Sequence, residues 1–229
     1  MASTLVIIPA YNEEACIVST VKELTKIASQ YDYVVVNDGS KDNTAELCRQ
    51  NGFNLIDLPV NLGLTGAFQT GMKYAYRHGY DQAIQFDADG QHSPSFIVEL
   101  VNAMNETHAD IVIGSRFVTK QKPKSLRMLG SNLISTLIRI TTGAKINDPT
   151  SGMRLYNRSM IKQFAIRGDL TPEPETLAFL IKRKDASVIE RQVNMRDRVA
   201  GESYLTFSKS IAYMANTCSA ILFSLWFRR

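Results

Sequence analysis

Cysteine and histidine are scarce in this 229-residue chain, with three of each. The cysteines, Cys16, Cys48 and Cys218, are odd in number, widely spaced and without a Cys-x-x-Cys pair. That argues against a disulfide framework or a zinc site and predicts reduced thiols in a cytoplasmic setting. His78 and His108 read as surface residues and His92 as a helix cap. No Gly-x-Gly-x-x-Gly follows the first apolar run, which sets aside a dinucleotide-binding oxidoreductase. There is no RNP aromatic motif and no zinc finger, so nucleic acid is not expected as a partner. No basic leader precedes Leu5-Val6-Ile7-Ile8, and no secretory signal is expected. Repeats and low-complexity segments are missing as well. Long apolar runs are also lacking: the final stretch, Ile211 to Phe227, has 17 residues and is broken by Asn216, Thr217, Ser219 and Ser224. It is short and polar for a spanning helix. An interfacial helix edged by Trp226, Arg228 and Arg229 fits better, with a plain helix packed on the domain as the alternative.

What remains is an ordinary globular composition, 45% hydrophobic and 21% charged. The chain is long enough for one large domain or two small ones. Its net charge of +4 conceals an asymmetry. Residues 1–115 carry 6 Lys/Arg and 14 Asp/Glu, and residues 116–229 carry 20 and 8, so the halves stand at −8 and +12. A basic half of that size marks an anionic partner, and a membrane surface or a phosphate-bearing substrate would qualify.

Along the first half, apolar runs alternate with helical spacing. Leu5 to Ile8, Tyr33 to Val36, Asn54 to Leu58, Ala83 to Phe86 and Asp110 to Ile113 read as strands. Helices are expected over about 13–29, 65–78 and 94–106, with Asn12 capping the first and Ile17, Val21, Leu24 and Ala28 on its apolar stripe. The pattern predicts an α/β fold with a mostly parallel sheet and helices on both faces, whose ligands sit at the carboxyl ends of the strands. Those ends carry Asn12 with Glu13, Asp38, and Asp87 with Asp89. After Arg116 come a basic loop with Lys120, Lys122, Lys124 and Arg127, and a helix over 129–140. That helix puts Leu133, Leu137 and Ile140 on one side, facing either the core or a membrane. Turn chemistry at Asp148 to Arg154 leads into a short strand, Leu155-Tyr156. A helix over 175–184, a strand over 187–195 and a second basic loop, Arg196 to Ser203, follow.

The central signal is Gln85-Phe86-Asp87-Ala88-Asp89-Gly90-Gln91-His92. In extended chain, residues two apart project to the same side, so Asp87 and Asp89 can reach one point. Two carboxylates that close repel unless a cation lies between them, and hard oxygen ligands suit magnesium or manganese held jointly with substrate phosphates. The alternative is a solvated, Asp-rich turn.

Several motifs in order carry a resemblance. Pro9-Ala10-Tyr11-Asn12-Glu13, Val36-Asn37-Asp38-Gly39-Ser40, Asn61-Leu62-Gly63, Asp87-Ala88-Asp89-Gly90-Gln91-His92 and Gly114-Ser115-Arg116 resemble the family 2 glycosyltransferases of the GT-A fold. The likeness continues through Ser151-Gly152-Met153-Arg154 and Arg198-Val199-Ala200-Gly201-Glu202-Ser203, nearly the whole chain. Within that family it is most similar to the polyprenyl-phosphate sugar transferases and dolichyl-phosphate mannose synthases. The resemblance implies a GT-A, Rossmann-like sheet with flanking helices, split into a nucleotide-sugar and metal half (1–115), an acceptor half of the same domain (116–204) and a membrane-associated helix (205–229).

It further implies that Pro9, Tyr11, Glu13, Asp38 and Asp87 bind the nucleotide, and that Asp87, Asp89 and Gln91 hold Mg²⁺ or Mn²⁺. Arg116, Arg127, Ser131 and Arg198 match positions that grip a lipid phosphate, and Asp87, Asp89 and Arg116 are the catalytic set. Leu64 and Thr65 stand where mannose synthases commonly have a lysine-glycine pair, and Pro172-Glu173-Pro174-Glu175 replaces a more apolar run. These departures favour UDP-glucose or UDP-N-acetylglucosamine over a mannose donor.

The chemistry is consistent with the motifs. A cation stabilises the diphosphate leaving group as a Lewis acid. A lipid monophosphate, with a second pKa near ~6 like that of phosphorylated side chains, needs arginines for orientation more than it needs a base. The expectation is inverting, metal-dependent transfer of a hexose from a UDP-sugar to polyprenyl (undecaprenyl) phosphate, for cell-wall or surface polysaccharide, at the cytoplasmic face of the membrane. Two alternatives stay open: a family 2 transferase acting on a sugar hydroxyl, and a catalytically silent nucleotide-sugar-binding subunit. The tail leaves room for a small membrane-protein partner, and homo-oligomerisation is equally open.

Overall fold

The computed structural model describes residues 2–123, 126–196 and 207–227, and of these the side chains of 126–127, 207–213 and 225–227 lie outside the description. Seven strands form one sheet in the order β3-β2-β1-β4-β6-β5-β7. They are β1 (Thr4–Ala10), β2 (Asp32–Asn37), β3 (Leu55–Asp57), β4 (Gln82–Gln85), β5 (Ile111–Ser115), β6 (Arg154–Asn157) and β7 (Val188–Gln192). Only β6 runs against the others, antiparallel to both β4 and β5. The sheet is therefore mostly parallel, as the alternating pattern predicts.

Both faces are covered, which explains why the strands read as continuous apolar runs. Leu5, Ile7, Val34 and Val36 turn to one side and meet Phe68, Phe164 and Phe179. Those rings belong to α3 (Gly63–Arg77), α6 (Arg158–Ile166) and α7 (Pro174–Lys184). Val6, Ile8, Val35 and Ile84 turn to the other side, onto Ile17, Val21 and Leu24 of α1 (Ile17–Ile27) and Ile97, Leu100 and Met104 of α4 (Ser95–Thr107). Alternation along each strand feeds two cores at once.

The first helix begins later than its cap residue suggests. Asn12 adopts the left-handed region at φ 55°, and its side chain accepts from Lys41 N–H at 2.8 Å. It ties two loops together instead of capping α1, whose N-cap is Cys16. Two short helices escaped the pattern. In α2 (Thr44–Gln50) only Thr44 and Cys48 are buried, too few for an apolar stripe. α6 did carry a signal: Asn157 caps it by accepting from Met160 N–H at 3.0 Å, ahead of Met160, Ile161 and Phe164.

On α5 (Leu126–Thr142) the expected stripe divides. Ile134 and Ile138 enter the core and Leu137 packs at its edge, while Leu129, Leu133 and Ile140 are exposed, Ile140 to 76%. The last helix, α8 (Phe207–Phe227), starts four residues before Ile211 and packs on α7 and α5. Its inward positions are Thr217, Ile221 and Ser224, and Leu222 and Phe223 face out. Of the polar residues that made the tail look poorly suited to lipid, Thr217 and Ser224 turn to the protein, while Asn216 and Ser219 are exposed. Among the described residues no helix is long and apolar enough to cross a membrane.

Candidate active site

The chain steps from β1 outward through β2 to β3, then returns through α3 to β4 on the other side of β1. That reversal opens a crevice at the carboxyl ends of β1 and β4, where such sheets bind ligands. A cleft of about 540 Å³ lies there, lined by Pro9, Ala10, Tyr11, Glu13, Asp38, Asp87 and Asp89. Every nucleotide-binding residue implied by the resemblance therefore borders one cavity. The opposite wall comes from Thr150 to Gly152, Arg154 and the Pro172-Glu173-Pro174 segment.

Loop-to-loop hydrogen bonds fix the wall formed by the turns after β1 and β2. Glu13 N–H donates to Thr44 Oγ1 at 2.8 Å, and Asn12 N–H donates to Ser40 Oγ at 2.9 Å. Asp38 is buried and accepts from Leu62 N–H at 2.7 Å, joining the β2 turn to the Asn61-Leu62-Gly63 loop. Gly39 sits at φ +62°, and a Cβ there would come within 2.6 Å of the Val60 and Asn61 backbone. Only glycine permits that approach.

The Asp87–Asp89 turn is held from below. Thr20 on α1 donates to Ala88 O at 2.9 Å. His92, which the sequence suggested as a helix cap, is instead buried beside Phe86 and accepts from Asp87 N–H at 3.3 Å through Nδ1. Asp89 Oδ1 accepts from Gln91 N–H at 3.0 Å, and Gln85 Nε2 donates to Asp87 Oδ1 at 3.1 Å. Asp87 keeps 34% of its side chain exposed. Across the cleft, a Cβ at Gly152 would stand 2.9 Å from Asp87 Oδ2. The glycine leaves that oxygen room for a ligand.

A part-exposed Asp87 carboxylate, with Asp89 two residues on in the same cleft wall, suits a hard divalent cation. Among the described residues no group of three His, Cys, Asp or Glu side chains could hold a metal. A metal here would be held by Asp87 and Asp89 and draw its remaining ligands from substrate oxygens. Gln91 contributes its backbone N–H to Asp89, and its side chain is not among the cleft walls.

The acceptor-side residues are less uniform. Arg116 stands just off the cleft, its Nε and Nη2 each 2.7 Å from the Asp148 carboxylate and its Nη2 3.2 Å from Thr150 Oγ1. Asp148 is completely buried. Burial pushes its carboxyl up, but the Arg116 hydrogen bonds and charge outweigh this and hold it below the usual carboxylate range. Ser131 is buried on the inner face of α5. The Arg127 side chain and Arg198, with its Arg198–Ser203 motif, lie outside the described residues.

Sequence reasoning placed Gly152 and Arg154 in a resembling motif without an individual role, and Glu173 in the Pro172–Glu175 departure. Arg154 is buried and bridges the two outer loops, donating to Pro149 O at 2.5 Å and Pro172 O at 3.1 Å. Glu173 is both the N-cap residue of α7 and a cleft wall. The resembling Ser151–Arg154 motif was the available signal.

The model of the family described as "Glycosyl transferase family 2" matches residues 5–164, which include the β1 and β2 turns and the Asp87–Asp89 turn. The chain belongs to that family. It is a glycosyltransferase, and its relatives include polyprenyl-phosphate sugar transferases. The UDP-N-acetylglucosamine–dolichyl-phosphate N-acetylglucosaminyltransferase of Methanococcus voltae is 34% identical over 71% of this chain and 73% of its own length. The undecaprenyl-phosphate mannosyltransferase of Micrococcus luteus is 29% identical over 88% of this chain and 87% of its own. Among solved structures, glucosyl-3-phosphoglycerate synthase of Mycobacterium tuberculosis, in complex with Mn²⁺, UDP and phosphoglyceric acid, superposes with a TM-score of 0.71. The match covers 98% of this chain and 78% of that one at 17% identity. At that identity the likeness speaks for the transferase's fold alone.

Proposed function

We propose that this transferase moves a hexose from a UDP-sugar to a polyprenyl phosphate, with inversion, at the cytoplasmic face of a membrane. The carrying observation is the cleft that brings Pro9, Tyr11, Glu13, Asp38, Asp87 and Asp89 together, in a chain whose second half carries the basic excess. Pro9, Tyr11, Glu13 and Asp38 bind base and ribose, and the Asp87–Asp89 turn faces the diphosphate. Mg²⁺ or Mn²⁺ held by Asp87 and Asp89, with Gln91 beside them, would neutralise charge on the departing UDP.

On the acceptor side, Ser131, Arg127 and Arg198 orient the lipid phosphate. A phosphate oxygen is already ionised and attacks without a protein base. Arg116, its fork occupied by Asp148, anchors the turn that carries Thr150 to the cleft. N-acetylglucosamine or glucose is the favoured sugar, supported by Leu64 and the Pro172–Glu175 segment and by the 34% identity to the N-acetylglucosaminyltransferase. The outward Leu129, Leu133, Ile140, Leu222 and Phe223 support contact with a lipid surface.

One observation favours a second reading. Glu173 borders the cleft and would serve as the base that a sugar-hydroxyl acceptor requires. Incubation with polyprenyl phosphate, Mg²⁺ or Mn²⁺ and a panel of UDP- and GDP-sugars separates the readings. A glycolipid from one donor, detected by mass and lost in Asp89→Asn, supports the lipid acceptor. Metal-dependent donor hydrolysis without glycolipid moves the assignment to a hydroxyl acceptor, and no turnover at all would indicate a silent binding subunit.

A further inference from the structure

The basic loop after β5 and the inner face of α5 meet at one amine. Lys122 Nζ donates to Ser131 Oγ at 2.9 Å and to Ser135 Oγ at 3.4 Å. The two hydroxyls stand four residues apart, on one face of the helix. The amine lies 5.5 Å from the centre of the Phe117 ring, and the Arg116 guanidinium 5.2 Å from the same ring. Carboxylates are near, but their oxygens are already engaged. Asp148 holds the Arg116 fork and backbone N–H. Glu190 accepts from Asn147 N–H and Nδ2 and from Asp148 N–H. Among the described residues Lys122 makes no ion pair, and its hydrogen bonds go to hydroxyls. Its loss of water lowers its pKa, only partly opposed by Asp148 and Glu190.

An ammonium drawn partly out of water and bonded to neutral hydroxyls is in an unfavourable resting state, since Asp148 and Glu190 offset only part of its desolvation. An arriving anion would relieve it. The amine retains a third N–H, the Ser131 hydroxyl can rotate to donate, and the Ser135 hydroxyl can turn away from its long 3.4 Å bond to Asn147 O. One cation and two rotatable hydroxyls match the several oxygens of a phosphate. Hydrogen bonds link these surroundings to the cleft wall, because Arg116 bonds both Asp148 and Thr150, and Thr150 lines the cavity next to Gly152.

We propose that Lys122, with Ser131 and Ser135, forms the cradle for the acceptor phosphate, and that Lys122 supplies the charge that Arg116 has committed to Asp148. This deepens the lipid-phosphate reading and rests on it.

Farnesyl phosphate and inorganic phosphate, titrated calorimetrically into the full chain with UDP present, provide the test. Lys122→Met should weaken farnesyl phosphate binding about ten- to a hundredfold, the effect of losing a charged hydrogen bond. Lys122→Arg should recover most of it, with UDP affinity unchanged in both. Equal farnesyl phosphate affinity in the parent protein and Lys122→Met would overturn the cradle and leave the lipid acceptor standing. Lys122-dependent binding of inorganic phosphate alone would support the cradle and remove the lipid. Binding of neither would overturn both. If Lys122→Met does not fold, Ser135→Ala carries the test: a loss of about threefold is expected, and an unchanged affinity rejects the cradle.

Discussion

Two sets of aspartates stand near the same end of the sheet and are treated in opposite ways. Asp148 is wholly buried and locked to Arg116 by two 2.7 Å bonds and a backbone N–H. Asp87, on the cleft wall, stays a third exposed and takes a neutral amide from Gln85, while the glycine opposite keeps one of its oxygens clear. A carboxylate whose charge is met inside the fold serves the fold. One left beside open space, on a turn pinned from beneath, is available to a ligand.

The sharpest way to break this contrast is to exchange the consequences of the two sites. Asp148→Ala leaves the Arg116 guanidinium without its partner and should cost about 3–5 kcal/mol of stability, read from urea unfolding. A small loss would mean that Asp148 is not structural. Asp89→Asn should instead leave unfolding nearly unchanged and lower transfer about 10²- to 10³-fold, the loss of several kcal/mol of charge stabilisation. Chelation of the parent protein should reproduce that loss, and Mn²⁺ or Mg²⁺ should restore it. Gly152→Ala refines the contrast, because its Cβ would crowd Asp87 Oδ2. Turnover should fall about tenfold with little change in melting temperature.

The smallest effect concerns pH. Folding lowers the Asp148 pKa, so its contribution is complete above the ordinary carboxylate value. That contribution is lost as pH falls through the lowered, folded-state value. The acid limb of the melting curve should be shallower in an Arg116→Met/Asp148→Leu double variant than in the parent protein. Parallel limbs would show that other carboxylates dominate.

Much of the first-half wall of the cleft was legible because its residues sit at or just after strand ends, and strand ends follow from apolar runs. Asp38 and Asp87 needed only the rule that parallel strands deliver their ends to one edge, while Pro9 was named by the family resemblance. The acceptor side was harder to read. The resemblance marked Arg116 as a phosphate ligand, and its bonds to Asp148, 32 residues away, were not legible beside that. Lys122 looked like one more residue of a basic loop until α5 brought Ser131 and Ser135 to it. On α5 itself, spacing alone did not reveal that Ile134 and Ile138 are inside while Leu133 and Ile140 are outside.

The sequence by itself determined the alternation of strands and helices, the two-sided core and the identity of the carboxylate turn, since each depends on near neighbours and on the period of apolar residues. The tertiary structure alone decided which charges are spent and which remain. It inserted β6 between β4 and β5, set Gly152 against Asp87, and gave Asp148 to Arg116. Whether a charge is neutralised depends on which distant groups come within a few ångströms of it and on how much water is excluded, and packing sets both.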